Sequence, residues 1–223
     1  MSLLTNLISY WKLDESSGNA ADASGGGFTL TNNNGITYSA AVINNGATFV
    51  HSSSQYFSNT SSTLGLVASD FSFSFWIKVT STSNYYTLIS KDTSGSRGYQ
   101  IYQDSNGVGM SINGSSLTFT AKPTLSTSVF SHIVLTQSGT SLSIYKNGVL
   151  IGTGTGASIP SSTATFEIGN DSSYGDYLNG AMDEVGCWSR VLSSTEVTQL
   201  YNGGAGLQYP FSGGGASFLF NFL

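Results

Sequence analysis

Seven Asn-Gly pairs punctuate the chain, at 34–35, 45–46, 106–107, 113–114, 147–148, 179–180 and 202–203. Asn-Gly suits a type I′ turn, because both residues reach positive φ at low cost and the turn matches the twist of paired strands. Between the pairs lie short runs with every second residue apolar. In the run from Phe71 to Val79, Phe71, Phe73, Phe75, Ile77 and Val79 share one face at a period of two. The run from Ser143 to Ile151 reads as a hairpin turning at Asn147-Gly148. Further strands are expected over 88–91, 99–103, 109–112, 116–120, 132–137, 141–146, 149–153 and 163–168. Many short strands without intervening helices predict an all-β chain of two packed sheets.

One helix is expected. Ser193-Ser194-Thr195-Glu196 has the form of a capping box, with Val197, Leu200 and Tyr201 facing the body and Asn202-Gly203-Gly204 as the stop. No repeat or linker interrupts the chain before this point, so 1–203 reads as one domain. Residues 204–223 are a glycine-rich spacer followed by an apolar tail carrying Phe218, Phe220 and Phe222. An uncharged apolar segment left in water would pair with other edges. The tail is expected to dock, either on its own sheet or core, or clasped by a neighbouring subunit by strand addition.

Composition narrows the classes. Charged residues make up 9% and aromatics 13%, which excludes disorder and implies a neutral, hydroxyl-rich surface over a β core. A net charge of −5 with 7 unclustered basic residues argues against nucleic acid and anionic membranes as partners. No apolar run approaches the roughly 20 residues of a membrane helix, so no membrane insertion is expected. The first residues lack a basic segment, so no classical signal peptide is expected. The single Cys187 excludes an internal disulfide.

Several segments, in order, resemble the laminin-G-like jelly rolls of the concanavalin-A-like lectin/glucanase superfamily. Tyr10-Trp11-Lys12-Leu13-Asp14-Glu15 is similar to the opening strand, and Asp22-Ala23-Ser24-Gly25 to the turn after it. The strand from Phe71, the His132-Ile133-Val134 strand with Tyr145-Lys146-Asn147-Gly148, and Gly180-x-x-Asp183-Glu184-Val185 followed by Leu192-Ser193-x-x-Glu196 continue the likeness to Tyr201. Two departures stand out. Phe49 is followed by Val50-His51 where Asp-Gly is common, and Gly186-Cys187-Trp188 replaces an Arg-aliphatic-aromatic triplet. The resemblance implies a two-sheet antiparallel jelly-roll sandwich with one short C-terminal helix. It also implies a structural Ca2+ held by oxygen ligands, with Asp14, Asp22 and Asp183 as candidates.

Catalysis is not expected. A retaining glycosidase needs two carboxyl groups about 5–5.5 Å apart across a cleft, and the Glu-x-Asp-x-x-Glu-like spacing of the glucanase branch is absent from this chain. Asp183 and Glu184 are adjacent, so on a regular strand they point to opposite faces. His51 and His132 lack a nucleophile elbow, and His132, Cys187 and Trp188 read as core.

Sugars are held by aromatic platforms with amide and carboxylate hydrogen bonds. Asn170, Asp171, Tyr174, Asp176 and Tyr177 form the densest such segment, and Tyr85 and Tyr86 a second. The same tyrosines could pack on the sandwich edge. These features lead to a non-enzymatic surface module, expected on a virion or an extracellular surface. It would be a phage capsid or tail decoration or an adhesin, touching glycans or other virion subunits as a homo-oligomer or within a larger assembly. The alternative is a free-standing calcium-dependent carbohydrate-binding module.

Overall fold

A computed structural model of the chain describes residues 2–66 and 70–211. Phe218, Phe220 and Phe222 of the expected docking tail lie outside the described residues. One sheet contains β1 (Leu7–Trp11), β3 (Thr37–Ala40), β4 (Asn45–Phe49), β6 (Phe71–Val79), β11 (Ser131–Ser138), β12 (Ser141–Lys146), β13 (Val149–Thr155) and β15 (Gly180–Trp188). Its order is β13-β12-β11-β6-β15-β4-β3, with β1 also on β15. The other sheet contains β2 (Thr31–Asn33), β5 (Tyr56–Asn59), β7 (Tyr86–Thr93), β8 (Ser96–Asp104), β9 (Gly107–Ile112), β10 (Ser115–Ser116) and β14 (Phe166–Ile168). Its order is β10-β9-β8-β7-β14-β5-β2. All pairings between these strands are antiparallel, and α1 (Ser194–Tyr201) follows β15. The expected jelly-roll sandwich with one short C-terminal helix is what forms.

The period-two pattern of β6 places Phe71, Phe73, Phe75, Ile77 and Val79 in the core between the sheets. Its other face is buried as well, because α1 lies over it. Ser72 Oγ donates to the Arg190 carbonyl (2.8 Å) and accepts from the Leu192 N–H (2.9 Å). Tyr201 stacks on Trp76 with ring centroids 5.7 Å apart. Beneath the helix a second apolar cluster joins Leu3, Tyr10, Val134, Trp188, Leu192, Val197 and Leu200, with Tyr209 and Phe211 against it.

Gly180, at the start of β15, shows why that position carries no side chain. A Cβ there would lie 2.2 Å from the Lys78 carbonyl oxygen and 3.0 Å from the Val79 Cα. Neither is the movable end of a side chain, so Gly180→Ala must push β15 away from β6. The substitution is expected to cost roughly 1–3 kcal/mol, read as a lower midpoint in urea denaturation.

Candidate functional site

Strand alternation in β8 and β9 sends Tyr99, Ile101, Val108, Met110 and Ile112 into the core. The residues between them face outward, and the register sets Gln100 opposite Ser111 and Tyr102 opposite Gly109. Gly109 makes room for the Tyr102 ring, whose Cζ would lie 2.8 Å from a Cβ at that position. Tyr85, just before β7, stacks on Tyr102 at 5.2 Å with an 18° interplanar angle.

The segment after β14 crosses this face and is fixed to it. Asp171 Oδ1 accepts from the Ser173 N–H (2.9 Å), and its carbonyl accepts from Tyr174 N–H (3.0 Å) and Gly175 N–H (2.9 Å). Ser173 Oγ accepts from Ser94 N–H (2.7 Å), and the Asp176 carbonyl accepts from Thr87 N–H (2.9 Å). These bonds stand Tyr174 at the rim, 55% exposed, opposite Tyr85 at 41%. Between them lies an open polar groove of about 240 Å³, walled by Tyr85, Asp92, Arg97, Tyr174 and Asp176 over Gln100 and Ser111.

The floor is hydrogen-bonded in advance of any ligand. Gln100 Oε1 accepts from the Tyr85 hydroxyl (2.9 Å) and from Ser111 Oγ (3.4 Å). Its Nε2 donates to Thr87 Oγ1 (2.8 Å) and Asp171 Oδ2 (3.3 Å). Arg97 pairs with Asp92 (2.7 Å) and donates to the Tyr174 hydroxyl (2.6 Å), with its guanidinium 5.6 Å from that ring. Burial pushes Asp171 up to about 6; the Ser173 N–H opposes the shift and nearby Asp92 adds to it. Burial also raises Asp176. The arrangement offers two aromatic faces, fixed amide and hydroxyl groups, and carboxylate acceptors along one trough.

Four of the residues singled out in sequence meet here: Tyr85, Tyr174 and Asp176 line the groove, and Asp171 lies beneath it. The others do not. Asn170 is buried and donates to Glu167 (2.9 Å). Tyr86 is buried in β7, where its hydroxyl accepts from Asn84 (3.1 Å). Tyr177 faces His51 and Tyr56 instead, each at 6.1 Å between ring centroids. Sequence reasoning missed Asp92, Arg97, Gln100 and Ser111. For Gln100 and Ser111 the signal was their polar phase between core residues of β8 and β9.

The closing strand departs from simple alternation. Glu184 has φ +51°, and the register with β6 shifts between Asp183 and Gly186. This β-bulge adds one residue, so Met182 and Val185 both enter the core. Asp183 and Glu184 are therefore not split between faces as expected: both turn toward the side of the sheet that carries Tyr10. They remain unfit for catalysis for another reason, since they are 0% and 2% exposed. Asp183 Oδ2 accepts from Val42 N–H (3.0 Å) and Ile43 N–H (2.9 Å), and the loop that donates them covers it. Burial pushes Asp183 up to about 7 and Glu184 up to about 8.

Of the three candidate calcium ligands, Asp22 and Asp14 are engaged within the chain, while Asp183 is bonded through Oδ2 only. Asp22 accepts from the N–H groups of Tyr10 (3.2 Å), Ser24 (3.0 Å) and Phe28 (3.1 Å) and from Ser24 Oγ (2.6 Å). Asp14 accepts from Asn45 N–H (3.2 Å) and Asn44 Nδ2 (3.2 Å), and pairs with Lys12 (3.3 Å). Among the described residues, no group of three or more His, Cys, Asp or Glu side chains is placed to hold a metal ion. His132 is a buried strand residue, its Nε2 2.8 Å from Ser74 Oγ, and Cys187 and Trp188 are buried. No helix among the described residues is long and apolar enough to cross a membrane.

A sequence profile of the concanavalin A-like lectin/glucanases superfamily, in its laminin-G type, matches residues 51–198. No curated protein sequence matches the chain. Among solved structures, the binding domain of Paraclostridial Mosquitocidal Protein 1 is similar with a TM-score of 0.71 at 17% identity, covering 90% of this chain and 53% of that one. Botulinum neurotoxin type C, dependent on interaction with two ganglioside molecules to enter cells, gives 0.67 at 16%, covering 90% and 52%. Domain 4 of AbnA, a GH43 extracellular arabinanase from Geobacillus stearothermophilus, in complex with arabinotriose, gives 0.65 at 19%, covering 86% and 97%. The chain thus spans about half the length of the two toxin chains and nearly all of the arabinanase domain. At these identities the likeness establishes the fold.

Proposed function

As the chain belongs to the concanavalin A-like lectin/glucanases superfamily, we propose that it is a non-catalytic glycan-binding module whose sugar site is the groove between Tyr85 and Tyr174. The observation that carries the reading is the pair of exposed tyrosine rings on either side of the bonded Gln100–Ser111 floor. Sugars present apolar C–H faces and a ring of hydroxyls. A trough with aromatic walls and fixed polar groups meets both, and little ordering is lost on binding. The arabinotriose held by the arabinanase domain and the gangliosides of the neurotoxin support a glycan as the ligand class.

The groove carboxylates support binding over hydrolysis. A glycosidase needs two carboxyl groups facing one bond. Here Asp171 is fully buried with both oxygens engaged, and Asp92 is held by Arg97 and the Gly98 N–H. Only Asp176 faces the trough without a hydrogen bond among the described residues.

A glycan array followed by calorimetry tests the reading. Tyr174→Ala and Tyr85→Ala are each expected to weaken the best ligand about tenfold, with the circular dichroism spectrum retained. The affinity is expected to be the same with and without chelator. Loss of binding in chelator would favour the calcium-dependent alternative, and no sugar bound in either condition would overturn the proposal.

We place this module on the outside of a particle or cell, as a virion decoration or adhesin acting in several copies. The low charge and hydroxyl-rich composition support that placement, and repeated copies raise the avidity of a shallow site. Mass photometry showing a clean monomer, unchanged on deletion of 212–223, would overturn the multi-copy half.

A further inference from the structure

We propose that the groove selects sugars bearing a free ammonium group, of the deacetylated hexosamine kind, over acidic sugars, with Asp176 as the ammonium acceptor. The inference rests on the groove being the sugar site.

Three carboxyl groups stand at the trough: Asp92 and Asp176 on its walls, and Asp171 beneath. His51 acts on Asp176 from outside the lining, and Arg97, the one Lys or Arg in the lining, is already committed. It pairs with Asp92, donates to the Tyr174 hydroxyl and lies on the Tyr174 ring. The other basic residues of this sheet and its margin are committed too. Lys122 pairs with Asp104 (3.0 Å), and Lys91 is buried with its ammonium on the carbonyls of Ser61 (3.0 Å) and Ala164 (2.7 Å). A sialic or uronic acid carboxylate would find no uncommitted Lys or Arg in the trough lining, and it would face Asp176, which has only the imidazole of His51 as a basic group acting on it.

An ammonium group meets the opposite situation. The Asp176 backbone is fixed through its carbonyl to Thr87 N–H (2.9 Å), while its carboxylate makes no hydrogen bond among the described residues and lines the trough. The acceptor is positioned and unoccupied by other donors. Tyr85, 41% exposed with Tyr102 stacked on one side of its ring, adds cation–π attraction for the same group. Exclusion of acidic sugars by like charge and attraction of basic ones work together, which is how a shallow site gains selectivity.

Calorimetry on the intact chain with three matched trisaccharides decides the matter: tri-glucosamine, tri-N-acetylglucosamine and tri-galacturonate, at a pH where the sugar amines are protonated. Tri-glucosamine is expected to bind about fivefold or more tighter than its N-acetylated counterpart, a gap that narrows as salt is raised. Tri-galacturonate is expected to bind weakest. Asp176→Asn is expected to bring the first two within about twofold of each other. Equal binding of the amine and N-acetyl trimers by the wild type, or tightest binding of the acidic trimer, overturns the inference while leaving the sugar site standing. No binding of any trimer, or binding that Tyr174→Ala does not weaken, overturns the sugar site itself.

Discussion

Arg190→Ala is expected to destabilise the protein by roughly 3–5 kcal/mol, the largest loss expected of any substitution outside the apolar core. The guanidinium has five N–H donors in a fixed fork, and in this protein all five are used. Two go to the Glu196 carboxylate, Nη2 to Oε1 at 2.6 Å and Nη1 to Oε2 at 2.9 Å. The others go to the carbonyls of Thr5 (2.8 Å), Ser2 (3.1 Å) and Val191 (3.1 Å). One side chain therefore fastens the N-terminal segment, the end of β15 and the first turn of α1. Truncation leaves Glu196, 4% exposed, as a charge without its partner.

The same pair carries a pH signature. Burial opposes ionisation of Glu196, but hydrogen bonds from Arg190 and Ser193 outweigh it and hold the carboxyl down to about 2. A carboxyl depressed on folding stabilises fully above its unfolded value, near 4.3, and that stability is lost as pH falls toward 2. Urea midpoints of the wild type should therefore drop across that window, and those of Arg190→Ala should drop much less. Arg190→Lys is expected to recover only part of the loss, because an ammonium cannot fill a planar fork. A loss under 1 kcal/mol in Arg190→Ala would mean that the network is replaced by water without penalty.

What could be read from the sequence was local. The capping box is legible because its partners are three residues apart, and both of its bonds form: Ser193 Oγ accepts from Glu196 N–H (3.3 Å), and Glu196 Oε2 accepts from Ser193 N–H (2.9 Å). The β6 face is legible because alternation repeats over nine residues. The Asn-Gly pairs teach a narrower lesson. At 113–114 and 147–148 both residues have positive φ and close the β9–β10 and β12–β13 hairpins. At 34–35 the φ values are also positive, yet the turn carries the chain from one sheet to the other. Asn45-Gly46 opens β4, and Asn202-Gly203 ends α1. The dipeptide states which dihedrals are cheap, not which strands pair.

The groove was only partly legible for a different reason. Its walls come from the segment before β7, from β7 and β8 themselves, and from the crossing after β14, and no local period links them. Tyr85 and Tyr174 could be proposed one by one, but their meeting across Gln100 depends on the β7–β8 register and on Asp171 fixing the crossing segment. The bulge at Glu184, by contrast, did leave a trace. Met182, Val185 and Cys187 cannot share one face of a regular strand, since the step from 182 to 185 is odd, so the apolar phase itself demanded an extra residue.

That bulge leads to the second large effect: the protein is expected to lose stability as pH rises from about 5 to about 9, by roughly 2–4 kcal/mol. Asp183 Oδ1 is buried without a hydrogen bond in the described structure, and the buried Glu184 carboxylate has only the Tyr10 hydroxyl as a nearby donor. Burial is the main cause of their raised positions, about 7 and about 8, and nearby Asp14 raises both further. A carboxyl raised on folding keeps its proton in the native state at pH values where the unfolded chain has released it. The unfolded state then binds fewer protons, so unfolding free energy declines with pH from the unfolded values near 4 up through the folded ones.

With Glu196 acting in the opposite sense at lower pH, the stability maximum should lie between about pH 4 and 6. Glu184→Gln fixes the neutral, equally shaped form. It is expected to leave stability near pH 5 within about 1 kcal/mol of the wild type and to raise it by roughly 2 kcal/mol at pH 9. Urea denaturation in chelator at both pH values measures this. Equal stability of wild type and Glu184→Gln at pH 9 would show that the bulge admits water to the carboxylate. A calcium-induced gain at pH 9 that Glu184→Gln abolishes would instead make Asp183 and Glu184 cation ligands. The bulge would then keep two carboxylates on one face for a metal, and their oxygens would be its ligand positions.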